Sequence, residues 1–136
     1  MSRIENKRLF EEIFAELAVG NGRPFISSLA EDIRWTIFGT TAWSKVFEGK
    51  QAVEAELLGP LRAQFAEPYR ASLKAIIAED DRIVAEFEGQ MTTKAGKAYN
   101  NTYCWVCRVA EGRIKELNEY MDTELVATAL EPPPAK

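Results

Sequence analysis

Tyr99-Asn-Asn-Thr-Tyr-Cys-Trp-Val-Cys-Arg-Val109, the turn signal Glu111-Gly112 and Arg113-Ile-Lys-Glu-Leu-Asn-Glu-Tyr-Met121 read as two long strands joined in a hairpin. Side chains alternate across a strand, so each segment has two rows. On the first strand, Tyr99, Asn101, Tyr103, Trp105 and Cys107 share one row. Aromatics interleaved with phenol and amide groups are what the wall of a pocket for a small apolar ligand looks like. On the second, Leu117, Glu119 and Met121 share a face, opposite Asn118, Tyr120 and Asp122. A carboxylate in so apolar a row is costly unless paired, hydrogen-bonded or protonated. Glu119 is therefore the leading candidate for chemistry.

Working outward, period-two character begins after Pro68, with strands expected at about 69–79, 82–93, 98–109 and 113–121. Turn signals at Asp80-Asp81 and Lys94-Ala95-Gly96-Lys97 separate them. Upstream the period is helical. Ser2 and Glu5 have capping-box spacing, and Leu9, Phe10, Ile13, Phe14 and Leu17 lie on one face of a first helix. A second helix is expected from Pro24 to Leu29, a strand from Ile33 to Phe38, and an irregular loop carrying Trp43. A third helix after Gly49-Lys50 contains Pro60, which should kink or split it. A short helix over 124–130 and an extended, mobile tail, Pro132-Pro133-Pro134, close the chain. Helices first and hairpins afterwards imply an α+β domain over 1–131, with a Pro-rich tail at 132–136.

A chain of 136 residues, 46% hydrophobic and 28% charged, can bury a core without staples. Its charged N-terminus leads straight into a helix pattern rather than a signal peptide, and no apolar run would span a bilayer, so a cytoplasmic setting is expected. The net charge of −4, with basic residues scattered, argues against nucleic acid and anionic membranes as partners. There is no histidine, which excludes Ser-His-Asp and Cys-His sites and leaves catalysis to Asp, Glu, Tyr, Lys, Arg or Cys. Cys104 and Cys107 are three apart on a strand, so they point to opposite faces and read as structural thiols.

On the strand from Arg82, Ile83, Ala85 and Phe87 form one row, and Val84, Glu86, Glu88 and Gln90 the other. Periodicity alone buries the first row and gives Glu86 and Glu88 to solvent. Yet Val84-Ala-Glu-Phe-Glu88, Gly96-Lys-Ala-Tyr-Asn100, Glu111-Gly-Arg-Ile114 and Asn118-Glu-Tyr-Met-Asp122 resemble limonene epoxide hydrolase and its SnoaL-like relatives, in the nuclear transport factor 2-like superfamily. The upstream Ala30-Glu31-Asp32 and Gly49-Lys50-Gln51-Ala52-Val53 fit the same pattern. The resemblance implies three N-terminal helices on a curved antiparallel sheet, forming a cone-shaped pocket. Its register also implies that Glu86, Glu88 and Gln90 line the cavity, while Ile83, Ala85 and Phe87 face a second subunit in a homodimer. The hydrolase's catalytic arginine falls on Glu86, its two aspartates on Glu88 and Glu119, and its water-holding tyrosine and asparagine on Trp35 and Ile37. The ketosteroid isomerase pattern does not match, because its phenol falls near Ile13 and its base near Thr36 or Ile37.

The resulting expectation is carboxylate acid/base chemistry by Glu119, Glu88 and Glu86 on a small hydrophobic ligand: polyketide cyclisation, isomerisation or epoxide opening. Trp35, Trp43, Gln90, Asn101, Tyr103, Trp105, Leu117 and Met121 would bind that ligand. Asp122 is an additional acid whose simpler role is to cap the final helix. No cofactor or metal is expected, although three converging carboxylates would suit Mg²⁺ or Ca²⁺. A ligand-binding or dimerisation module without catalysis is the alternative.

Overall fold

The computed structural model describes residues 2–135. Helix α1 (Arg3–Leu17) opens with the capping box: the Ser2 side chain accepts from Glu5 N–H and the Glu5 carboxylate accepts from Ser2 N–H. Helix α2 (Arg23–Ser28) carries Pro24 in its first turn, and β1 (Leu29–Ile37) follows without a loop. Strand β2 (Val46–Glu48) is a short antiparallel edge on β1. Then come α3 (Lys50–Ala52), a π-helical stretch (Val53–Leu58) and α4 (Gly59–Gln64). The strands β3 (Arg70–Glu79), β4 (Arg82–Gln90), β5 (Thr102–Ala110) and β6 (Arg113–Met121) precede α5 (Thr123–Ala129).

Pro60 splits the third helix in a specific way. It has no N–H for the ladder, and the stretch before it widens so that Gly59 N–H donates to Glu54 C=O, a π-type bond. A Cβ on Gly59 would fall 2.9 Å from that carbonyl, so the wide turn depends on glycine there.

The sheet runs β2-β1-β6-β5-β4-β3. It is mixed rather than wholly antiparallel, because β1 lies parallel to β6. A hairpin-by-hairpin reading could not see this, as the pairing joins segments about eighty residues apart. Register shifts interrupt the ladders between Leu73 and Ala75 and between Arg108 and Val109, where bulges bend the strands and curve the sheet. The β5–β6 turn needs positive φ at Glu111 (54°) and Gly112 (73°), as a tight hairpin of this hand requires.

On the concave face, Phe10, Ile13 and Phe14 of α1 are buried, and Phe14 meets Phe87 at 4.8 Å between ring centres. Ile83, Ala85 and Phe87 are wholly buried in this core. The expectation that they form a subunit interface is therefore corrected; the simple alternation of the strand was the sounder guide. Removing the Phe14 ring would cost about 3–5 kcal/mol. Cys107 is buried inside, where desolvation pushes its thiol pKa up, and Cys104 lies half-buried on the other face. Among the described residues no helix is long and apolar enough to cross a membrane.

Candidate active site

The helices and the concave face enclose a cavity of about 420 Å³. Its inner wall comes from three adjacent strands. Glu119 on β6 stands opposite Trp105 on β5 and Ile37 on β1, and Trp35 stands beside Leu117. Strand parity turns all of these inward, because Glu119 shares its face with Leu117, which is fully buried.

Glu119 is buried, with no basic side chain as partner. Instead Trp105 Nε1–H donates to Oε2 at 2.8 Å and Trp35 Nε1–H to Oε1 at 3.3 Å. The indoles are fixed in turn: they meet edge-to-face at 5.7 Å, and Phe25 of α2 stacks on Trp105 at 5.0 Å. Burial pushes the Glu119 pKa from 4.5 up to about 7, while the Trp105 and Trp35 N–H groups pull it back towards the ionised form. The carboxyl is thus poised where both protonation states are populated near neutrality.

A second polar group in the same cavity is made of phenols. Tyr103 lies on the β5 row with Trp105, and Tyr69 and Tyr99 approach it from the neighbouring segments. Tyr69 meets the Tyr103 ring edge-to-face at 6.4 Å, and burial raises all three phenol pKa values. Asn101 fixes Tyr99 by donating to its hydroxyl at 3.2 Å. Tyr69 has room only because residue 89 is glycine: a Cβ there would lie 2.3 Å from the Tyr69 hydroxyl. Protonated phenols on the same wall as Glu119 add hydrogen-bond donors to the cavity.

Several expected residues fall elsewhere. Glu86 and Glu88 lie on the outer face of β4; Glu86 is exposed, and Glu88 pairs with Lys74 at 3.7 Å. Gln90 is also on that face, accepting from Ser72 Oγ at 3.3 Å. None of the three reaches the cavity, so of the three expected acids only Glu119 stands there, and the divalent-cation arrangement built on them is not assembled. Among the described residues no group of three metal-ligating side chains converges. Asn101 is a wholly buried tie, exchanging hydrogen bonds with the Asp122 backbone at 3.1 Å. Asp122 caps α5 through bonds from Glu124 N–H and Leu125 N–H. Leu117 faces inward but is packed into the core and does not line the cavity, whereas Trp35, Trp43, Tyr103, Trp105 and Met121 line it. Trp43 Nε1–H donates to Glu131 C=O at 2.9 Å, which ties the start of the Pro-rich tail beneath the cone.

Sequence reasoning missed Tyr69, Phe25 and the apolar floor of Val126 and Leu130. Pro24-Phe25 and Pro68-Tyr69 marked element starts, but nothing local says which way a residue at such a boundary points.

The profile of the SnoaL-like domain matches residues 10–117. No curated protein matches the sequence. Among solved structures, an NTF2-like protein of Burkholderia pseudomallei K96243 is similar at TM-score 0.77 and 21% identity, over 96% of this chain and 100% of that one. A protein from Jannaschia sp. CCS1, named for a SnoaL-like polyketide cyclase, is similar at 0.75 and 15%, over 96% and 94%. A Bacillus subtilis protein named as an isomerase is similar at 0.75 and 19%, over 95% of each chain. At such identities the likeness establishes the fold.

Proposed function

The chain belongs to the SnoaL-like domain family, and from that membership and the surroundings of Glu119 we propose that it moves protons on a small, apolar, enolisable carbonyl compound, as in an isomerisation or an aldol-type cyclisation. The single observation that carries this reading is a buried carboxyl with a pKa of about 7 on the wall of an apolar cavity. In its ionised form Glu119 takes a proton from the carbon beside the carbonyl. The C–H bond breaks, an O–H bond forms on the carboxyl, and the electron pair moves to the carbonyl oxygen as an enolate. Tyr103, kept protonated by burial, donates a hydrogen bond to that oxygen. Glu119 returns the proton to another carbon, or the enolate attacks a second carbonyl, closing a ring by a new C–C bond, and the resulting alkoxide takes the proton back from Glu119. The cyclase and isomerase names of two structural neighbours support this class of chemistry.

The test is solvent deuterium uptake at the α-carbon of β-tetralone, a bicyclic ketone small enough for the cavity. The wild type should accelerate exchange, and Glu119→Gln should lower the rate about a thousandfold. Exchange unchanged in that variant would overturn the assignment. A second reading, a binding module without turnover, has one observation in its favour: both Glu119 oxygens already accept indole N–H bonds. Tight tetralone binding with no catalysed exchange would select it.

The assembly proposed is a homodimer through the outer face. There Val106, Val84 and Ile77 are adjacent in one row across the sheet, which continues through Asn118 and Thr36 to Val46, beside the exposed stacked pair Phe38 and Tyr120. Sedimentation should give a dimer that Val84→Lys dissociates; a monomeric wild type would refute it.

A further inference from the structure

A second hollow adjoins the cavity. A groove of about 620 Å³ runs between α2 and the α3–α4 stretch, and it shares Gly22, Ile26, Leu58 and Arg62 with the cavity. Its floor is apolar, with Ile26, Leu29, Val53 and Leu58, and its rim is charged. Arg23, Lys50 and Arg62 stand there against Glu31 and Glu54. Glu54 is paired with Arg62, and among the described residues neither Arg23 nor Lys50 makes an ion pair. That leaves a local cationic excess on a chain whose net charge is −4. The shared boundary is open at Gly22, where an added Cβ would meet no atom within 4 Å.

We propose that the ligand has two parts: an apolar head in the cavity, and an anionic tail that crosses Arg62 into the groove towards Arg23 and Lys50. The proposal rests on the reading of the cavity as an apolar ligand site and adds the chemistry of the rest of the molecule. An exposed, movable arginine at the junction can exchange Glu54 for the ligand's anion without a desolvation cost to the empty protein. The apolar groove floor suits a methylene tether leading to that anion.

The experiment measures binding of three probes by quenching of the cavity tryptophans: naphthalene, naphthyl-hexanol and naphthyl-hexanoate. The acid should bind about fivefold tighter than the alcohol at low salt, and the advantage should fade as salt is raised. Arg62→Gln should remove the advantage and leave the alcohol unchanged, whereas Glu54→Gln should enlarge it. Gly22 has a negative φ (−88°, ψ 0°) that other residues can adopt, so Gly22→Phe can fold and fill the shared boundary. It should weaken both tailed probes and spare naphthalene. Equal affinity for acid and alcohol in the wild type, or an Arg62→Gln effect as large on the alcohol as on the acid, would overturn the two-part ligand while naphthalene binding upholds the cavity. Loss of naphthalene binding as well would sink the cavity reading and this proposal together.

Discussion

Glu116 and Glu119 are three residues apart on β6 and end on opposite faces of one sheet. Glu116 faces outward, hydrogen-bonded to Arg108, and that guanidinium holds its pKa below the ordinary value. Glu119 faces inward, meets two indoles and no cation, and rises to about 7. The two acids have the same chemistry and the same strand. What separates them is access to water: an indole N–H stabilises an anion but does not replace the hydration that burial removes. A charged partner on the outer face lowers an acid's pKa, and neutral partners inside leave burial free to raise it.

The comparison breaks most visibly in stability against pH. The folded Glu119 pKa lies above the unfolded value, so the folded state binds the proton more tightly, and stability falls as pH rises from about 4.5 to about 7, then levels off. The drop should amount to about 3 kcal/mol. Glu119→Gln should abolish that slope in denaturant titrations at a series of pH values, and an unchanged slope would place its origin elsewhere. A smaller effect is expected on the phenol side of the cavity. Gly89→Ala must displace Tyr69 and should cost about 2 kcal/mol by overpacking, while Gly89→Ala combined with Tyr69→Phe should recover part of it. A fully stable Gly89→Ala protein would mean that Tyr69 is loosely held.

Removing one indole donor sharpens the inner half of the comparison. Trp35→Phe should cost about 1 kcal/mol in hydrogen bonding when Glu119 is ionised, and should push the falling limb of the stability profile to higher pH. A limb that moves to lower pH would show that the indole stabilises the neutral acid. The smallest effect belongs outside: Glu116→Gln should change stability by less than about 0.5 kcal/mol, because its ion pair is solvated.

Strand parity made the inner wall legible. Glu119, Tyr103, Trp105 and Met121 all sit where alternation puts them, and Asp122 caps its helix. The same rule placed Ile83, Ala85 and Phe87 in the core, and borrowing the register of a resemblance reversed it wrongly. A wholly apolar row opposite two glutamates is strong physical evidence, since burying that pair unpaired would cost more than any register is worth. What stayed hidden was non-local. Trp35 reaches Glu119 only because β1 runs parallel beside β6, and Tyr69 reaches Tyr103 only past the bare backbone of Gly89. Neither contact leaves a local signature.

The central claim is that one desolvated carboxyl, Glu119, titrates near neutrality inside the cone. The direct measurement is a carbon-13 NMR titration of the glutamate side-chain carboxyls, with the Glu119 resonance assigned by its absence from Glu119→Gln. The account predicts a midpoint of about 7 for that signal, against 4.5 for an unperturbed glutamate. A Glu119 midpoint at or below 4.5 would contradict it, because the indoles would then outweigh burial and leave a fully ionised, weaker base at neutral pH.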